Sequence, residues 1–289
     1  MTARVIFTAD DFGTDEAVNE AVERAHRDGV LTSASLMVSA PAAEDAVARA
    51  RRLPGLGVGL HLVLVQGEPA LRGPETAALL GDGGAFSDSP ARAGVDYFFR
   101  PGARKALAAE IRAQFEAFRR TGLALDHVDG HTHLHIHPTI FSLLLEIGPE
   151  YGMRAMRLPC ERPLASWRAA RRGLVSRLAV SGAFAPWAGH MRRRLRHAGI
   201  ACNDAVFGFH DSGAMTEELL LRQLEYLRDG EATEFYFHPA VRRSERLARL
   251  MPAYRNVQEF EALVSPRLRQ VLAQRRVETI AFRDIASAK

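Results

Sequence analysis

Asp129-Gly-His-Thr-His-Leu-His-Ile-His-Pro138 places a histidine at 131, 133, 135 and 137, and His127 continues the alternation upstream. Successive side chains of a β-strand point to opposite faces, so this spacing predicts one extended segment with all five imidazoles on one side. Thr132, Leu134 and Ile136 take the other side, as a strand buried against helices requires. Imidazole is the commonest protein ligand of catalytic transition metals, which makes a metal or catalytic site the first expectation. A surface cluster or a tag fits poorly, because the tract lies mid-chain and is interleaved with apolar and β-branched residues.

The flanks of this tract define the fold class. Before it, Ala103 to Thr121 carries Leu107, Ile111, Phe115 and Phe118 at helical spacing; after it, Thr139 to Tyr151 reads as another helix. Upstream, Arg4–Ala9, Leu31–Ala40 and Val58–Val65 read as strands separated by helices over Asp15–Arg27 and Ala42–Arg52. Downstream, Met153–Leu158, Ala205–His210, Thr233–His238 and Val277–Phe282 are further strands, with helices expected over Glu217–Arg228 and Phe260–Ala273. Such alternation predicts a parallel α/β sheet or barrel. Gln66 to about Arg100, rich in Gly, Pro, Asp and Ser, reads as a long excursion near the active site with a short helix around Ala77–Leu80. Residues from about 164 to 198 break the rhythm, with Trp167, Leu174, Leu178, Phe184 and Trp187 among arginines, and read as a helical insertion in a single domain spanning 1–289.

Composition narrows the class. The chain of 289 residues has the apolar and charged fractions of a soluble globular protein, and no apolar run reaches the ~18–20 residues of a membrane span. Asp10-Asp11 follows the first strand at once, unlike a secretory signal, and Cys160 and Cys202 form no disulfide framework, so a cytoplasmic location is expected. From Arg154 to Arg196 there are eleven arginines and a single acid, Glu161. That patch carries no nucleic-acid-binding motif, so no nucleic-acid partner is expected.

Four constellations fall at predicted strand ends, where parallel α/β proteins assemble their sites: Asp10-Asp11, His61, the His131 cluster and His238. Adjacent carboxylates in an apolar context call for a cation, although Asp11 alone also suits a helix N-cap. His61 alone is equally a satisfied core histidine, and His238-Pro239 a strand terminus. Taken together, one Asp and two His supply the oxygen–nitrogen set of a hydrolytic divalent-metal site, and the remaining Asp and His suit general base and general acid.

Thr8-Ala-Asp-Asp-Phe-Gly13, Gly59-Leu-His-Leu62, His127-Val-Asp-Gly-His-Thr-His-Leu-His135 and Phe237-His-Pro239 resemble, in order and spacing, the signature blocks of the YdjC-like carbohydrate deacetylases, across essentially the whole chain. Within that family the chain looks closest to the hopanoid biosynthesis-associated branch, HpnK. The resemblance implies a distorted, incomplete (β/α) barrel of the polysaccharide-deacetylase-like type and removal of N-acetyl groups from amino sugars. It implies Asp11, His61 and His131 as metal ligands, Asp10 as general base and His238 as general acid. His133 and His135 fall in the family block as substrate or supporting contacts, and Arg157-Leu-Pro159 resembles an element that orients the base. Many relatives carry Ser where this chain has Gly130, which leaves the ligands intact. Zn²⁺ suits the ligand set best, with Mn²⁺, Co²⁺ and Mg²⁺ open.

The HpnK resemblance further implies a lipid-linked substrate, an N-acetylglucosaminyl hopanoid, and the arginine-rich 164–198 segment then reads as a peripheral contact with an anionic inner-membrane face, or else as a lid or homodimer contact. Soluble chitooligosaccharides are the alternative substrate. A non-catalytic metal-binding protein is a third reading, which leaves Asp10 and His238 without a purpose. An amidohydrolase or PHP-type phosphoesterase would carry His-x-His on its first strand, where this chain has Asp-Asp.

Overall fold

The computed structural model describes residues 2–81 and 83–287. In chain order the regular elements are β1 (Arg4–Phe12), α1 (Glu16–Asp28), β2 (Ser33–Leu36), α2 (Ala43–Ala50), β3 (Gly57–Leu62), α3 (Pro90–Phe99), α4 (Ala103–Arg120) and β4 (Leu125–Gly130). There follow α5 (Pro138–Ile147), α6 (Pro163–Ala170), α7 (Leu174–His197), β5 (Ala205–Phe207), α8 (Glu217–Gln223) and β6 (Ala232–Phe237). The chain continues through α9 (Glu245–Leu250), α10 (Asn256–Leu263), α11 (Pro266–Gln274), β7 (Glu278–Thr279) and α12 (Phe282–Ser287).

The strands form one parallel sheet in the order β4-β3-β2-β1-β6-β5, with β7 added beside the start of β1. The segment expected as a strand at Met153–Leu158 is irregular. It meets β4 through the single parallel bridge of Val128 to Met156, and the stretch just after it meets β5 through Glu161 to Val206. Pro159 has no N–H to donate, and Asn203 takes the place of a neighbouring strand by bonding both Leu158 N (2.8 Å) and Leu158 O (3.0 Å). The sheet therefore curls into a distorted, incomplete (β/α) barrel, as expected.

Two faces of each strand have separate fates. Val5, Phe7 and Ala9 of β1 join the large apolar layer under the surrounding helices. Ile6, Thr8 and Asp10 face inward and climb from an apolar plug to a charged layer. The plug contains Ile6, Ala155, Ala201, Ala232, Phe282 and Ile285, so α12 seals the bottom of the barrel. Above it His127 stacks on Phe282 with ring centroids 4.3 Å apart, and its ring occupies the space left by Gly59, where a Cβ would come within 2.5 Å of it. A glycine at 59 is thus the condition for a histidine at 127.

Several boundaries differ from expectation for local reasons. The excursion after β3 contains α3, whose start carries the N-cap and N1 signals of Ser89 and Pro90. The helix expected over Phe260–Ala273 is two helices, because Ser265-Pro266 ends one and caps the next. The final strand shrinks to Glu278–Thr279 and the second to Ser33–Leu36.

Candidate active site

The principal correction concerns the histidine tract. β4 stops at Gly130, and His131–Ile136 forms a short 3₁₀ turn in which Thr132 (φ 51°) and His133 (φ 57°) are left-handed. The five imidazoles consequently do not share a face. His127 lies in the barrel interior, bonded to Ser35 Oγ (3.1 Å) and Asp126 Oδ2 (3.0 Å). His131 reaches the metal-type cluster, His133 lines the cleft, His135 turns back to Arg157 O (3.2 Å), and His137 binds Gly94 O (3.0 Å) and packs on Phe98 of α3. Strand periodicity fails here because the tract begins at the sheet's upper end, beyond its last ladder partner, Leu62 opposite Gly130.

A second backbone irregularity explains the paired carboxylates. Alternation would send Asp10 and Asp11 to opposite faces of β1. Asp11 has φ 60°, and the pairing with β2 slips between Ala9 and Phe12. This bulge turns both side chains into the same cleft; Asp is among the residues that tolerate left-handed backbone. Asp11 is not the helix cap. Asp15 caps α1 by accepting from Ala17 N at 2.8 Å, which leaves the Asp11 carboxylate free.

Around Asp11, His131 Nδ1 donates to Oδ1 at 3.0 Å and His61 Nε2 stands 3.3 Å from the same oxygen. Ligand atoms of Asp11, His61 and His131 all lie within 4.8 Å of one another. Asp11 Oδ2 is buried with no hydrogen-bond partner. Burial would push the Asp11 carboxyl up, but the charge and hydrogen bond of His131, with His61, outweigh it and hold it well below the usual carboxylate range. His61 Nδ1 donates to Asp129 Oδ1 at 2.8 Å, which fixes the ring and leaves Nε2 for the cluster. Burial opposes charge on His61, yet Asp129 and Asp11 push it up to about 10.

Asp10 is held from behind. Arg157, fully buried, grips it with two parallel bonds, NH1 to Oδ2 at 2.7 Å and NH2 to Oδ1 at 2.8 Å. The same guanidinium meets Asp129 Oδ2 at 2.6 Å and Glu234 Oε1 at 2.7 Å and lies 4.7 Å from the Tyr236 ring centroid. One cation thus faces three carboxylates, beside a fourth on Asp11. Burial pushes the Glu234 carboxyl up despite Arg157, in keeping with the shortage of positive charge. A divalent cation fits the cluster on three counts: the oxygen–nitrogen donor set, the orphaned Asp11 Oδ2, and the excess of buried negative charge.

His238 enters from the end of β6. Its ring packs edge-on to Tyr254, centroids 4.8 Å apart, and its Nδ1 has no partner. Its backbone is fixed from both sides: N donates to Glu259 Oε2 and O accepts from Asn256 Nδ2 at 2.7 Å. His133 Nε2 is 2.9 Å from Tyr236 OH. Burial, then Arg157 and His135, keep the His133 imidazole well below its ordinary pKa, and burial pulls His135 down to about 4; both rings are neutral near pH 7. His133 is therefore a neutral wall of the cleft, whereas His135 supports the Arg157 backbone and does not line the cleft.

Asp10, Asp11, His61, His131, His133 and His238 thus open onto one cleft of about 820 Å³, a size suited to a small ligand, with Phe209, Tyr236 and Tyr254 among its walls. Sequence reading gave no role to Asp129 or Glu234. Glu234 did carry a signal, as the one charged residue in the otherwise apolar Phe-Tyr-Phe end of a buried strand.

Fold and cleft define an α/β partial-barrel protein with a carboxylate–imidazole site at the C-terminal ends of its strands. A family model described as YdjC-like protein matches residues 4–274, and the chain belongs to that family. It is 30% identical over 283 residues to a carbohydrate deacetylase of Brevibacillus brevis, covering 98% of this chain and 99% of that one. A carbohydrate deacetylase of Geobacillus stearothermophilus is also 30% identical, with 98% of each chain covered. In fold it is similar to a solved Enterococcus faecalis protein described as a candidate cellobiose-phosphate cleavage protein, with TM-score 0.74, 22% identity, and coverage of 98% of this chain and 99% of that one.

Proposed function

We propose that this chain is a metal-dependent carbohydrate N-deacetylase that removes acetate from an N-acetylglucosamine group. The observation that carries the reading is the division of labour between adjacent carboxylates, Asp10 clamped by Arg157 and Asp11 flanked by His61 and His131, in one cleft. Relatives named carbohydrate deacetylase, similar over nearly the full chain, support it.

Asp11, His61 and His131 would hold the ion, Zn²⁺ by preference for such donors, with Mg²⁺, Mn²⁺ and Co²⁺ as alternatives. When bound, that ion supplies a Lewis acid that polarises the acetamide carbonyl and makes a nearby water more acidic. Asp10, oriented by Arg157, takes the proton from the attacking water. His238 delivers a proton to the amine nitrogen as the C–N bond breaks, which turns a poor leaving group into a neutral one. Neutral His133 and Tyr236 OH form the wall against which the sugar is positioned. A non-catalytic metal-binding protein has no use for the clamped Asp10 or for His238.

The substrate we favour is lipid-linked, an N-acetylglucosaminyl hopanoid converted to the glucosaminyl form at a membrane surface, with a soluble chitooligosaccharide as the second reading. Mass spectrometry of each after incubation with the metal-loaded protein decides between them: loss of an acetyl group from the hopanoid is expected, and loss from chitobiose alone would reject the lipid assignment. Among the described residues no helix is long and apolar enough to cross a membrane, so a lipid substrate would be met from outside the bilayer. His61→Ala and His131→Ala are each expected to lower metal occupancy at least about tenfold, as loss of a ligand does. Elemental analysis after dialysis reads this directly, and unchanged occupancy in both would reject the ligand set.

A further inference from the structure

The arginine-rich insertion expected at 164–198 has its charges sorted along and around α7. α7 seats Arg177, Ser181, Phe184, Ala188, Met191 and Leu195 against the body of the protein at alternating spacings of four and three. Buried Arg177 binds Asp211 through both terminal nitrogens (2.9 and 2.7 Å), and Ser181 Oγ is 3.4 Å from His210 Nε2, which fixes the first half of the helix beside the Phe209 wall of the cleft. Trp187 is committed inward, donating to Ile136 O at 2.8 Å.

The outer side is different. From 173 to 191 the only charged residue is Arg177, which is buried, so every exposed position over about five turns is uncharged. Val175 is 80% exposed, and Leu178, one turn further on the same side, is 44% exposed. Exposed arginines flank this stretch in the sequence, Arg168 and Arg171 before α7 and Arg193 and Arg194 near its end, and α7 itself runs roughly 30 Å from Leu174 to Arg193 at 1.5 Å per helical residue.

We propose that this outer face of α7 docks the protein onto an anionic lipid surface, with Val175 and Leu178 entering the headgroup boundary and the flanking arginines meeting lipid phosphates. The charge pattern selects this occupant over a second copy. An antiparallel α7 pair would set Arg171 of one chain against Arg193 and Arg194 of the other, and a parallel pair would set each end against itself. Either arrangement juxtaposes like charges, whereas an anionic surface neutralises both ends at once. Docking here would hold the Phe209 side of the cleft near the bilayer, where a lipid-linked amino sugar presents its headgroup; that use rests on the reading proposed above, but the docking does not.

The test is flotation of the full chain with phosphatidylglycerol–phosphatidylcholine vesicles, compared with phosphatidylcholine alone. Binding to the anionic vesicles is expected to weaken as salt is raised, and to fall at least about tenfold in V175E/L178E, whose altered side chains are exposed and leave the core untouched. Circular dichroism and deacetylation of a soluble N-acetylglucosamine oligomer, unchanged in that variant, separate lost docking from lost folding. Absence of wild-type flotation, or equal flotation of the variant, overturns the proposal. So does a wild-type dimer in sedimentation that V175E/L178E dissociates. Flotation without any deacetylation would leave the docking standing and reject the proposed activity.

Discussion

Arg157→Met is expected to destabilise the fold by about 3–5 kcal/mol at neutral pH, the range observed when one partner of a buried ion pair is removed. Methionine keeps an unbranched apolar stem and removes the guanidinium, so the charge and its bonds are lost together with the space the guanidinium filled. Asp10, Asp129 and Glu234 would be left facing one another in a layer where none is more than a few per cent exposed. The pH dependence separates this from a packing defect. In the wild type, burial would push Asp129 up, but Arg157 and His61 hold it well below the usual carboxylate range. A depressed folded-state pKa contributes stability that is present above the unfolded value and lost as pH falls through the folded one. Without Arg157, burial is left to push the Asp129 and Glu234 carboxyls up with less opposition, so in the variant stability is lost as pH rises. The gap between wild type and variant in urea denaturation is therefore expected to be widest near pH 7 and to shrink towards pH 5. A gap independent of pH would mean that Arg157 acts by filling space.

That same layer marks the limit of what could be read from the chain. The alternation of strands and helices was legible because most strands are apolar on the side facing the helices, and Val5, Phe7 and Ala9 announce it. The strand ends carrying Asp10, Asp11, His61 and His238 were legible because charged or aromatic-nitrogen residues close otherwise apolar runs. The histidine tract misled because period-two spacing means a common face only while the backbone stays extended. Two left-handed residues, Thr132 and His133, redistribute the imidazoles to the cluster, the cleft wall, Arg157 and α3. Arg157 itself sits in a segment whose proline prevents a regular strand, so no periodicity announced that it would face Asp129 and Glu234. A helical insertion at 164–198 was legible, but not which side of α7 faces the body, since its inner stripe includes a buried arginine and its outer side exposes valine and leucine.

Asp10→Asn is expected to lower kcat for deacetylation by roughly 10²–10⁴-fold while leaving fold and metal content close to wild type. The carboxamide has the same shape but cannot accept a proton from water, and it takes no part in the Asp11, His61 and His131 cluster. Stability offers a counter-argument that the geometry answers. Asp10 is bonded twice to Arg157, and weakening that pair could in principle cost as much as losing it. The guanidinium, however, keeps Asp129 and Glu234, and the site already holds more buried negative than positive charge, so removing one carboxylate relieves repulsion that partly offsets the weaker bonds. The denaturation midpoint should therefore move far less than in Arg157→Met, although both substitutions disturb the same contact. Activity and elemental analysis on one preparation check the outcome. Full rate with the metal retained would remove Asp10 from the role of base, and loss of the metal along with the rate would move it into the ligand set beside His61 and Asp129, a second trio whose ligand atoms lie together.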